Sequence, residues 1–99
     1  MKRTKNISII AQNKLKVLDA DTLVAFTEIR GKMKYHQAFL NVVRSLIDEE
    51  VDVMASLDSA DPNLATKHAN AKGRAGALTV FMHMLEGSMT ELERRDGDV

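Results

Sequence analysis

Cysteine and tryptophan are absent from the 99 residues, and proline occurs once. Without cysteine there is neither a disulfide framework nor a thiolate metal site. Aromatics make up only 4%, against 44% hydrophobic residues that include six methionines; that profile opposes a β sandwich and suits a helical protein rich in Leu, Met and Ala. No apolar run approaches the ~20 residues of a membrane-spanning helix, so no membrane partner is expected. Ahead of Ile7 stands a basic stretch, but the apolar run that follows lasts about five residues, too short for the hydrophobic part of a signal peptide. A cytoplasmic protein is the expectation.

Acidic residues are missing from positions 1–18, which hold Lys2, Arg3, Lys5, Lys14 and Lys16. The formal charges balance at 14 basic and 14 acidic, so a basic arm precedes an acidic body. Such an arm could contact nucleic-acid phosphates through those five residues. It lacks interleaved aromatics, and a solvated terminus is the simpler reading. Residues 1–6 have nothing to bury and are expected to form a flexible arm, with 7–99 as one domain. Within 7–18, Ile7, Ile10, Ala11, Leu15 and Leu18 suit one side of a short helix, while Ile7/Ile9 and Leu15/Val17 alternate like two strands. A strand before two helices would suggest a ribbon-helix-helix DNA binder. The helices of those proteins are much shorter than the ones that follow here, and helix is the preferred assignment.

From Asp21 to Leu57 the apolar spacing alternates between three and four. Phe26, Ile29, Met33, His36, Leu40, Val43, Ile47, Glu50, Met54 and Leu57 make the seam of one long helix, about 37 residues or roughly 55 Å. Asp19, Asp21 and Thr22 can all cap its start. Gly31 falls inside it at a cost of about 1 kcal/mol relative to Ala; a kink or close approach there is the alternative, and an uninterrupted helix is the preferred reading. A second stripe, Tyr35, Phe39, Val42, Leu46 and Val53, widens the apolar arc to about 160°, more than one partner helix covers.

Asp58–Asn63 punctuates the chain, with Asp61 as a helix cap and Pro62 as a first helical residue. The next helix, about 61–95, repeats the seam with Leu64, His68, Ala71, Ala75, Leu78, Met82, Leu85, Met89 and Leu92. Two long helices with a short connection run antiparallel. The folded-back register places Ile47 near Ala75, Leu40 near Met82 and Met33 near Met89. Gly73 and Gly76 read as small residues that let the two backbones approach, with a hinge or break in the helix as the competing reading. The fold expected is therefore all-α, a long antiparallel hairpin of 21–57 and 61–95 with a short N-terminal segment. The helix should fray near Arg95.

Chemistry is sparse along this pattern. The residues three before His36, His68 and His83 are Met33, Ala65 and Val80, so the Glu-x-x-His arrangement of helical metal sites is missing. His36 reads as a hydrogen-bonding seam residue able to reach Glu86, and Glu50 as a salt-bridge partner of Lys67, Lys72 or Arg74. No nucleophile sits on a recognisable turn such as G-x-S-x-G. Neither a cofactor nor an enzymatic activity is expected. The side stripes are the informative feature, because Tyr35, Phe39, Val42 and Leu46 on one arm match Ala77, Phe81 and Met84 on the other. One hairpin leaves that surface wet, which predicts self-association into a bundle or docking into a larger assembly.

Asp21-Thr22-Leu23 opening a helix, followed by Ala71-Lys72-Gly73-Arg74-Ala75-Gly76-Ala77-Leu78 leading into a Met/Leu helix, resembles small helical-hairpin accessory proteins of tailed bacteriophages. The resemblance spans roughly residues 20–95. It implies a non-enzymatic part of a virion or its assembly, or a small protein acting on a host machine, and it carries over no individual functional residue.

Overall fold

The computed structural model describes residues 8–97, and the basic positions Lys2, Arg3 and Lys5 lie outside that range. The described chain is all-helical. Its elements are α1 (Ile9–Lys16), α2 (Ala20–Gly31), α3 (Met33–Ser56) and α4 (Leu64–Gly97). At 34 residues α4 is about 51 Å long, and each of the three shorter helices packs against it.

Residues 7–18 resolve to helix over their described part. Ser8 caps α1 by accepting the Ala11 N–H at 3.1 Å, and Lys14 and Lys16 occupy the last turn, where cations suit the negative end of the helix dipole. Ala11 and Leu15 are buried, while Ile9 and Ile10 face outward. Of the three possible caps before the next helix, Asp19 is used. Its carboxylate accepts both the Thr22 N–H at 3.0 Å and the Thr22 hydroxyl at 2.7 Å, so α2 starts at Ala20.

The single helix expected over 21–57 is two helices. Lys32 breaks it with extended backbone (φ −105°, ψ 101°), donating its N–H to Ile29 O and accepting from the His36 N–H. Gly31, weak in helix propensity, immediately precedes the break, and a Cβ there would meet nothing within 4 Å. The packing explains why the break is favoured. A straight rod would keep Phe26, Ile29, Met33 and His36 on one line against α4, whereas the kinked chain lets α2 pack on α3 and α4 together, with Leu23 entirely buried. Met33 loses its seam position and is 83% exposed. Its pairing with Met89, itself exposed, does not form.

Beyond the break the seam of α3 follows the spacing: Leu40 and Val43 are buried, and Ile47, Glu50, Met54 and Leu57 are half-buried. The connection is held by Asp58 Oδ1 accepting the Ala60 N–H at 2.9 Å and Asp61 Oδ1 accepting the Asn63 N–H at 2.7 Å. Pro62 therefore belongs to the turn, and α4 opens at Leu64 rather than beside Asp61. Phe39 with Phe81 and Glu50 with Arg74 fix the direction: as numbers rise along α3 they fall along α4, and the two run oppositely.

Two packing centres result. Ala11, Leu15, Leu23 and Met84 form the cluster where α1 and α2 meet α4, with Leu18, Phe26, Val80 and Leu92 around it. Leu40, Val43, Ala71 and Leu85 are the buried apolar residues of α3 and the rest of α4. Besides Ala71, the small residues of α4 that are buried are Gly87 and Ser88, the latter donating to Leu85 O at 2.8 Å. Gly73 and Gly76 are exposed and a Cβ on either would meet nothing within 4 Å, so neither serves a close approach within the chain.

The C-terminal turns do not fray at Arg95. Arg95 donates to the carbonyls of Leu15 (2.9 Å) and Leu18 (2.8 Å), satisfying the open end of α1. Its Nε also donates to Glu91 at 2.9 Å, and Arg94 meets the same carboxylate at 2.8 Å. Glu91 is buried, and the two guanidiniums, Arg94 first, hold its carboxyl down at about 2 against the burial that would raise it.

Candidate functional site

The residues expected on an interaction face divide into two groups. Tyr35 (55%), Phe39 (36%), Val42 (60%) and Leu46 (41%) remain exposed along one flank of α3. Val53 continues the line and is exposed as well. On α4, Ala77 is exposed and Phe81 half-buried, but Met84 is only 8% exposed and belongs to the core under α1. The short N-terminal helix thus withdraws Met84 from the face and leaves the α3 flank open.

Phe81 stands at the centre of the aromatic group. Its ring meets Phe26 edge-on at 5.7 Å and Phe39 at 5.5 Å with a 41° tilt, so α2 and α3 both touch α4 through it. Beside Phe39 a groove of about 450 Å³ is lined by Ile29, Tyr35, Ala38, Phe39 and Val42. Beside Phe81 a second apolar depression includes Ile10, Lys14, Ala77 and Val80. Ile29, Ala38, Ile10 and Val80 were not singled out as surface residues. For Ile29 the signal lay in the break at Lys32, which sets it beside Ala38 and Phe39 of α3; Ile10 and Val80 meet only because α1 packs on α4, which local periodicity does not show. Lys32 Nζ sits 5.7 Å from the centre of the Tyr35 ring, a cation on an aromatic face at the head of the flank.

The histidines take three different places. His36 is half-buried and its Nε2 has no hydrogen-bond partner, so the contact with Glu86 is not made. Burial, then the Arg30 charge, lowers its pKa below the ordinary value, and Glu86 opposes them. His68 is exposed rather than on the seam. His83 Nδ1 accepts the Ser8 N–H at 3.3 Å, tying the start of α1 to α4. Among the described residues, no cluster of three His, Asp or Glu could hold a metal ion.

Glu50 pairs with Arg74, its Oε1 accepting from Nε at 3.0 Å. Of the three cations considered, this one reaches it. Of the five basic positions expected to meet nucleic acid, Lys14 and Lys16 are described and exposed, on α1. No helix among the described residues is long and apolar enough to cross a membrane. Comparison with protein-family models, with curated proteins and with solved structures finds no match for this chain.

Proposed function

We propose that this chain is a non-enzymatic helical assembly protein that works through the open flank of α3. In this reading α3 and α4 form an antiparallel hairpin, steadied at one end by α1 and α2, and a further helical surface completes the bundle. The observation that carries it is the unbroken line of Tyr35, Phe39, Val42 and Leu46, all exposed on a helix that buries Leu40 and Val43 on its other side. Single exposed apolar residues are ordinary, but a contiguous aromatic and aliphatic strip marks an interaction surface. The resemblance to accessory proteins of tailed phages suggests a virion or its assembly as the setting.

The test is the mass in solution. Light scattering after size-exclusion chromatography should give a species heavier than the 11.0 kDa chain, and Val42→Asp should return it to that mass with its helix content kept. Val42 is the better probe than Phe81, because Phe81 also supports Phe26 inside the chain. A wild type that stays at 11.0 kDa and takes up no partner from its native source overturns the proposal.

A further inference from the structure

We infer that the flank is covered by a second copy of this chain, its α3 laid antiparallel on the first about a two-fold axis near Val42. This rests on the reading of the flank as an interface, and adds what covers it and in which direction.

At about 100° per residue, Tyr35, Phe39, Val42, Leu46, Glu49 and Val53 fall on one line along α3, at the alternating steps of a coiled-coil seam. The two edges of this line differ. One is occupied, since Val43 and Glu50 lie along it and turn toward α4. The other carries Lys34, Ala38, Asn41, Ser45 and Asp52, with Asp48 just behind it, all exposed. Charge along this open edge is split by sign, with Lys34 at the N-terminal end and Asp48 and Asp52 at the C-terminal end.

That split selects a direction. In an antiparallel pair each edge of a helix meets the same edge of its partner, whereas in a parallel pair it meets the opposite one. Antiparallel pairing therefore sets open edge against open edge, and the α4 edge of one copy beside the α4 edge of the other. It brings Lys34 of each copy beside Asp48 and Asp52 of the other, two sets of opposite charges in one interface. Parallel pairing would drive the open edge of one copy toward the α4 of the other and set Lys34 level with Lys34.

The side chains fit the same axis. With Val42 at the centre, Phe39 stands opposite Ser45 and Leu46 opposite Ala38, large against small on both sides. Tyr35 stands opposite Glu49, whose carboxylate is the single charge in the line and gains a phenol donor. The groove beside Phe39, about 450 Å³, faces Leu46 of the second copy, so the ridge of each copy enters the groove of the other, as a two-fold contact requires.

The chain has no cysteine, so single thiols report the pairing directly. Mild oxidation of Val42→Cys should yield a covalent dimer. Tyr35→Cys alone should not link to itself, and a mixture of Tyr35→Cys with Glu49→Cys should give the mixed disulfide. Lys34→Glu should weaken the dimer about tenfold, and mixing it with a protein carrying Asp48→Lys and Asp52→Lys should restore association. An oligomer in which Tyr35→Cys links to itself, or in which neither Val42→Cys nor the mixture links, overturns the antiparallel pairing and leaves the interface reading standing. A wild type that is monomeric by light scattering overturns self-pairing altogether, and it overturns the interface reading as well only if no other partner is captured.

Discussion

Replacing Glu91 by Gln tests the polar tie between α1 and α4. The carboxylate is 6% exposed and receives Arg94 and Arg95, and Arg95 in turn holds the last carbonyls of α1. A carboxyl lowered in the fold from 4.5 to about 2 corresponds to at most about 3.5 kcal/mol of stability. Arg94 is 46% exposed and its share is screened by solvent, so we expect Glu91→Gln to cost about 2 kcal/mol at neutral pH. Because the folded value is the lower one, this stability is complete above about pH 4.5 and fades as pH falls toward 2. Urea titrations of wild type and variant across that window should therefore show a gap that is largest at neutral pH and closes near pH 2. A gap of the same size at both ends, or no gap at pH 7, refutes the charge account of this contact.

Arg95→Met keeps the aliphatic stem and removes the donors to Leu15 and Leu18, so amides of α1 should exchange faster with solvent while those of α3 hardly change; equal acceleration in both helices would contradict it. Gly73→Ala should raise stability by about 1 kcal/mol, since a Cβ there meets nothing within 4 Å and helix propensity improves; a lower melting temperature would mean that the glycine has a contact outside the chain. Asp19→Ala should destabilise the start of α2, and the wild-type advantage should shrink on acidification, because the Thr22 hydrogen bonds hold the carboxyl below its usual range; an effect independent of pH would count against the cap.

The all-helical class was legible in the sequence because three-and-four spacing is a local property that tertiary context seldom erases. Gly31 marked where a kink could fall, but the same spacing argued against it: a seam in register on both sides of Gly31 looks like one rod, and only the burial of Leu23 and Phe26 against α4 shows what kinking gains. Arg95 was misread for a related reason. A polar run with a glycine resembles a fraying end, and nothing near it in sequence reveals that the carbonyls it satisfies lie some 80 residues away on α1. Glu50 was legible, because a carboxylate on an apolar seam must find a cation and Arg74 was within range. The exposure of the apolar stripe was legible on α3, where it is continuous, and less so on α4, where the cover supplied by α1 decides the fate of Met84.

That cover also predicts how stability is distributed. α1 and α2 both lean on the C-terminal half of α4, through His83, Phe81, Met84 and Arg95, so this end of the molecule is three or more helices deep. Toward the connection at 57–63, α3 has only α4 beside it, and Leu46, Val51 and Val53 stay exposed there. Few buried contacts mean cheap local opening. In the Val42→Asp protein, held as a single copy, amides of residues 44–56 and 64–76 should therefore exchange well before those of 80–92. Raising the concentration of the wild type should slow exchange in the first of these segments and leave 80–92 unchanged, because α1 and α2 already cover that part of α4. Uniform exchange along α4, or a concentration effect confined to α1, would show that the exposed end is not the weak end and that the assembly surface lies elsewhere.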